Sequence, residues 1–208
     1  LLAKAKRPLL VAGGGVVHAG ADAALRELAQ RLNAPVVPTQ MALGTVATHH
    51  PAFIGHGGLI AGDAVKAAFE RADVVVSIGC RHSSWMWDER GPLVRPTHAH
   101  ININIDPLAL GNPALHTVAM QADALAALND LLAALPPGAA ACDANWLASL
   151  RAVRARYDHR LAVMAQDTHA VMHPAALAQA VGQALPTDAL VVFDGGHTTF
   201  WSNDLTPV

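Results

Sequence analysis

The hydrophobic positions of this chain follow two alternating patterns. Short unbroken apolar runs read as buried strands, and longer stretches repeat their apolar residues every three or four positions, as helices do. The first run, "PLLVAGGGVV" from Pro8 to Val17, contains three consecutive glycines, Gly13, Gly14 and Gly15. In "GADAALRELAQRLNA", Ala24, Leu25, Leu28 and Leu32 share one helical face, and Asn33 ahead of Pro35 supplies the stop. "PVVPT" is a short β-branched run, "AGDAVKAAFERA" is helical, and "DVVVSIG" is again a strand. "HININID" alternates strictly, with Ile101, Ile103 and Ile105 on one face, and Pro107 ends it. "TVAMQADALAALNDLLAAL" gives a short strand and a helix that turns Leu125, Leu128, Leu131, Leu132 and Leu135 inward.

Strands that alternate with helices in this way predict an α/β fold: a parallel sheet covered on both faces, with ligands at the carboxyl ends of the strands. "PPGAAACD" interrupts the pattern and marks a domain boundary. Beyond it, Ala144 to about Ala165 predicts a charged helix and "HPAALAQAVGQAL" another. "DALVVFDGGHTTFW" predicts a strand entering a glycine turn, the opening of a second, truncated α/β unit. Leu1 is not a methionine and the last pattern breaks off at "SNDLTPV", so the chain is expected to be a segment of a longer protein.

With 52% hydrophobic residues, 208 positions suffice for one full domain and part of another. The formal charge is −2 and the basic residues are dispersed, which argues against nucleic acid or a membrane surface as partner. No stretch reaches the roughly 20 apolar residues of a membrane span. Cys80 and Cys142 are the only cysteines and form no CxxC, which makes a reducing cytoplasm the expected compartment.

A dinucleotide fingerprint needs G-x-G-x-x-G and an acid at the end of the second strand. Here His18 stands at the third glycine position and Thr39 and Gln40 stand where the acid would be, so nicotinamide-dependent hydride transfer is not expected. The glycines then either meet an anionic ligand or only let two backbones pack closely. Arg81, just beyond the strand that ends at Gly79, suits phosphate recognition through its planar fork, or a surface ion pair with Asp88 or Glu89. Trp85 and Trp87 follow it, and share a face only if the segment is extended. Asp106 closes the "HININID" strand and either accepts from ribose or adenine groups or forms a turn. His98 and His100 point to one strand face, but no HExxH or carboxylate-completed set accompanies them, so no metal site and no catalytic residue is assigned within this chain.

Taken in order, "RPLLVAGGGVVHAGADAALRELAQRLNAPVVPT", "HPAFIGHGG", "ADVVVSIGCR" and "HININIDP" resemble the central domain of thiamine-diphosphate-dependent 2-oxo-acid enzymes, the acetolactate synthase group above all. "ALVVFDGGHTTFW" resembles the first strand and turn of that family's diphosphate-binding domain. The resemblance implies a doubly wound sheet of about six parallel strands and a non-redox site for FAD, ADP or another adenine nucleotide. It implies nucleotide contacts at Gly13, Gly14, Gly15, Gly57, Gly58, Arg81 and Asp106, and an approach of Gly196, His197 and Thr198 to thiamine diphosphate. The implied division is a central domain over 1–135, a linker and helix over 136–172, and the start of the diphosphate-binding domain over 173–208.

The sequence departs from the FAD-binding members at "RHSSWMWDER", where they carry Arg-Phe-Asp-Asp-Arg, and at Ala122, where they have a glycine before the counterpart of Asp123. The family's catalytic glutamate lies in a preceding domain, and its Mg²⁺-holding GDG…N motif would follow residue 208. The resemblance thus implies a homo-oligomeric enzyme acting on a 2-oxo acid, with this segment alone inactive. Oxalyl-CoA decarboxylase-like and benzaldehyde lyase-like enzymes share such central domains and remain alternatives, as does a non-catalytic nucleotide-binding or packing domain. The zinc module usual in NAD-dependent deacylases cannot be built from two cysteines.

Overall fold

The structure is a computed structural model that describes residues 1–88, 90–110, 117–135, 137–138, 142–166, 169, 171–186 and 188–206. The chain begins with β1 (Pro8–Ala12), the short helix α1 (Gly14–His18), α2 (Asp22–Leu32) and β2 (Val36–Pro38). After a long connection come α3 (Asp63–Arg71), β3 (Val74–Ile78) and a two-stranded ribbon of β4 (Trp87–Asp88) and β5 (Gly91–Pro92). The sheet is completed by β6 (Ala99–Asn104) and β7 (Val118–Gln121), and four helices follow: α4 (Ala124–Ala134), α5 (Trp146–Ala165), α6 (Pro174–Ala184) and α7 (His197–Leu205).

The main sheet has the order β2-β1-β3-β6-β7 and every pairing is parallel. Alternate residues of each strand go to opposite faces. Leu10 and Ala12 join Val76, Ile78, Ile101 and Ile103 under α2 and α4. Leu9, Val11 and Val75 face the other way, against Ala68 and Phe69 of α3 and Trp146 and Leu150 of α5. Covering both faces is what allows continuous apolar strands such as "PLLVA" to be fully buried.

Five strands form the sheet among the described residues, where about six were expected. Beside β2, the segment from Phe53 to Gly57 makes two isolated parallel bridges, Val36 to Phe53 and Thr39 to Gly57. Gly55, at φ +125°, bends the backbone between them, so no continuous ladder forms. No strand among the described residues occupies the predicted "ALVVF" segment, and Leu190 and Val192 are 93% and 84% exposed, with no neighbouring ladder to pair with. Ile105 also departs from its expected inward face: β6 ends at Asn104 and the chain turns at Asp106, leaving Ile105 exposed. Among the described residues no helix is long and apolar enough to cross a membrane.

The predicted charged helix, α5, is anchored to the sheet at its first residue. Trp146 is buried, its indole Nε1 donates to the Pro8 carbonyl at 2.8 Å, and the Arg71 guanidinium lies 5.2 Å from its ring centroid. At the other end of the strands, the turns after β1 and β3 press together. A Cβ on Gly13 would lie 2.2 Å from the Gly79 carbonyl oxygen, and one on Gly79 would lie 2.5 Å from Gly15 Cα. Gly79 also sits at φ +61°, so both its conformation and its surroundings require glycine.

Two stability outcomes follow. Gly20 has nearly the same φ, +60°, but nothing within 4 Å of an added Cβ. Gly20→Ala should cost about 1–2 kcal/mol for the left-handed backbone alone, and Gly79→Ala roughly 3 kcal/mol or more, the difference reporting the contact between the turns in urea unfolding. Trp146→Ala should cost about 3–5 kcal/mol in the same measurement; a loss below 1 kcal/mol would show that α5 is not part of the domain core.

Candidate functional site

Strand order reverses between β1 and β3, and the crevice between their following turns lies at the carboxyl edge of the sheet. Two connected hollows open there, of about 540 and 390 Å³, and share Gly15, His18, Gly79 and Arg81 as a common neck. The larger is walled by Met41, Trp85, Met86, Phe193 and Phe200, and the smaller by Asn104, Asp106, Ala122 and Asp123.

The glycine turn forms the floor of the neck. Gly13 N–H donates to the Ile78 carbonyl at 2.8 Å, Gly15 N–H to Gly79 at 3.1 Å and Val16 N–H to Gly13 at 3.0 Å, so these three amides are engaged in backbone bonds. Gly14 lines the larger hollow. The close-packing role of Gly13 and Gly15 is therefore explicit, and the fixed positive charge of the neck comes from a side chain, Arg81. Arg81 is exposed at the neck and has no ion-pair partner among the described residues. Asp88 is taken by Arg95 at 3.2 Å, and Glu89 lies outside the described residues. His18, at the third glycine position, is exposed on the same neck.

Gly57 sits on the wall of the larger hollow, where a Cβ would come within 3.0 Å of Val37 Cγ1 and 3.1 Å of the Met86 sulfur. A Cβ on Gly58 would stand 3.7 Å from Gln40 Nε2 and from the Trp85 carbonyl, beside the same wall. Trp85 lies on a 3₁₀ turn and Trp87 on β4, so the two tryptophans occupy different elements, and only Trp85 lines the hollow.

Asp106 forms a turn, its Oδ1 accepting from Leu108 N–H at 2.9 Å, and it borders the smaller hollow. Asp123 caps α4, accepting from Leu125 and Ala126 N–H at 2.9 and 3.1 Å, and lines the same space. Asn104, unremarked in the sequence, joins two parts of the site. Its Nδ2 donates to the Cys80 carbonyl at 3.1 Å and its Oδ1 accepts from Asp106 N–H at 3.1 Å. The Ile/Asn alternation of "HININID" was the signal: in a sheet covered on both faces the polar face is buried too, and its groups must be bonded. On that face His100 Nε2 meets Ser77 Oγ at 2.8 Å, and His98 Nε2 meets the Phe69 carbonyl at 2.6 Å. Burial pushes the Cys80 thiol up to about 11, which keeps it protonated at neutral pH.

Gly196 caps the N-terminus of α7 and His197 begins it, its ring 5.8 Å from Phe200. Thr198 follows in the helix, and its side chain lies outside the described residues. Gly196 and His197 do not line the hollow, whereas their neighbours Gly195, Thr199 and Phe200 do. Behind that wall Asp204 is buried: Arg154 Nη1 donates to its Oδ1 at 3.2 Å, Tyr157 Oη donates to its Oδ2 at 2.9 Å, and His56 Nε2 stands 3.6 Å from Oδ2. Burial raises the Asp204 carboxyl, but His56, Arg154 and Tyr157 together outweigh it and hold its pKa below the ordinary range. Burial and the Asp204 charge push the Tyr157 phenol up. No local pattern announced this cluster, because its members come from three distant segments.

The matching family model is described as "Thiamine pyrophosphate enzyme, central domain", and it covers residues 1–131. The chain is 36% identical over 135 residues to the "Probable acetolactate synthase large subunit" of Methanocaldococcus jannaschii, which spans 65% of this chain and 23% of that protein. It is 30% identical over 208 residues to the "Acetolactate synthase" of Mycobacterium avium, 97% of this chain and 32% of that one. It is 30% identical over 204 residues to the "Acetolactate synthase isozyme 2 large subunit" of Escherichia coli, 97% and 35% respectively. The chain thus spans about a third of the length of the relatives it matches end to end. Residues 1–131 are a thiamine pyrophosphate enzyme central domain, and the chain belongs to that family.

Proposed function

We propose that this chain is the middle portion of a thiamine-diphosphate-dependent carboligase or decarboxylase of the acetolactate synthase kind, which acts on a 2-oxo acid, and that its central domain binds an adenine nucleotide, FAD or ADP. The observation that carries the nucleotide reading is the crevice at the strand-order reversal, with Arg81 exposed at its neck and no ion-pair partner among the described residues. An exposed guanidinium with no ion-pair partner among the described residues suits a diphosphate, which accepts two hydrogen bonds from the planar fork.

In this reading Arg81, with His18 beside it, holds the diphosphate above the floor made by Gly13, Gly14, Gly15 and Gly79. Asp106 offers its free oxygen to ribose hydroxyls in the smaller hollow. Trp85 and Phe200 flank the larger hollow, where the flat ring of FAD would lie against Gly57 and Gly58. Thiamine diphosphate, with Mg²⁺, supplies carbanion chemistry when bound in the complete enzyme. Gly196, His197 and Thr198, at the start of α7, belong to the side from which that cofactor would be approached. The complete protein is a cytoplasmic homo-oligomer, with the division 1–135, 136–172 and 173–208 as its domain plan, and this chain alone is without turnover.

Calorimetric titration of the chain with ADP, FAD and coenzyme A tests the nucleotide site. Binding of at least one is expected, and Arg81→Met should weaken it about tenfold or more, the loss of a charge-assisted contact. No heat with any of the three would leave the domain as a scaffold. For the reaction, the full-length protein with pyruvate, thiamine diphosphate and Mg²⁺ should release CO₂ and form acetolactate; no turnover would sink that assignment.

A further inference from the structure

The smaller hollow lies where the chain leaves β6 and β7, and each of those exits carries a carboxylate, Asp106 after the first and Asp123 after the second. Both carboxylates also cap a helical turn. Asp106 Oδ1 accepts from Leu108 N–H at 2.9 Å, and the Asp106 carbonyl accepts from Ala109 N–H at 3.1 Å, at the head of the 3₁₀ turn Pro107–Leu110. Asp123 Oδ1 accepts from Leu125 and Ala126 N–H at the head of α4. Amides at a helix start are the backbone groups that usually hold a phosphate. Here those amides are already taken. Asn104 is committed in the same way, to the Cys80 carbonyl and the Asp106 amide.

What the hollow still offers is acceptors. A carboxylate accepts hydrogen bonds and donates none, and Oδ2 of Asp106 and of Asp123 takes no hydrogen bond or ion pair among the described residues. A ribose hydroxyl can donate to either oxygen, whereas a phosphate meets only like charge. Sites that take a phosphorylated ribose place an arginine beside it. The one fixed positive charge lining this hollow among the described residues, Arg81, stands on the neck, where the diphosphate claims it. Asp106 is half-buried and Asp123 exposed, so water and salt screen Asp123 more and Asp106 carries the larger share of the repulsion.

Resting on the nucleotide reading above, we propose that the smaller hollow is a selectivity filter for the ribose: it takes adenine nucleotides with both ribose hydroxyls free, and Asp106 and Asp123 turn away those phosphorylated on the ribose, coenzyme A among them. The hydroxyls donate to the two carboxylates. A phosphate in place of either hydroxyl loses that donor and brings its own negative charge against them.

Calorimetric titration of the whole chain with ADP, and with ADP phosphorylated at the ribose 2′ or 3′ position, reads the filter directly. Both phosphorylated forms should bind roughly tenfold or more weakly than ADP, because a phosphate adds up to two charges beside Asp106. Asp106→Asn keeps an acceptor for the turn and removes the charge, so it should narrow that gap to about threefold or less; Asp123→Asn should narrow it by a smaller factor. Equal binding of the three nucleotides overturns the filter and leaves the nucleotide site standing. A gap that persists in full in Asp106→Asn, with circular dichroism confirming the fold, also overturns it, since shape rather than charge would then be responsible. Should Asp106→Asn fail to fold, an unchanged gap in Asp123→Asn overturns it instead. No binding of ADP itself overturns the nucleotide reading and the filter with it.

Discussion

The contact between two backbone turns, Gly13 to Gly15 after β1 and Gly79 after β3, is the constraint on which the site depends. These turns belong to neighbouring parallel strands, and side chains in either would hold them apart. With glycine in both, the Gly15 amide bonds to the Gly79 carbonyl, and Arg81 emerges beside His18 rather than away from it. The neck, the two hollows that meet there and the exposure of Arg81 all follow from that approach. Asn104 then fixes the far side, since one side chain holds both the Cys80 carbonyl and the Asp106 amide.

Much of this was legible in the residues. The apolar runs became β1, β2 and β3, the helical faces of α2 and α4 were those their leucine spacings indicated, and Asn33, the expected stop, ends α2 in the left-handed conformation. Legibility failed where a feature depends on a partner distant in sequence. "ALVVF" has every local mark of a strand, yet a strand exists only as half of a pairing. Trp146 lies in the predicted charged helix, and it is buried because it packs on the sheet beside Leu9 and Val11, where its indole bonds to the Pro8 carbonyl. The glycine triplet was ambiguous for a related reason: whether it grips a ligand or packs a backbone depends on Gly79, more than sixty residues away.

The Asp204 cluster illustrates the same limit more sharply. Arg154, Tyr157 and Asp158 lie within the predicted charged helix and His56 within "HPAFIGHGG", with no local pattern to join them. Only the docking of α7 gathers them around one buried carboxylate. Desolvation raises the energetic weight of each member, so residues of ordinary appearance in the sequence become strong electrostatic contacts once they are covered.

That the crevice at the strand-order reversal is an adenine-nucleotide site is the central claim, and a crystal structure of the chain grown with ADP tests it most directly. The diphosphate should lie between His18 and Arg81, above Gly15 and Gly79, with the ribose toward Asp106. ADP bound elsewhere, or an empty crevice at saturating ADP, would contradict it.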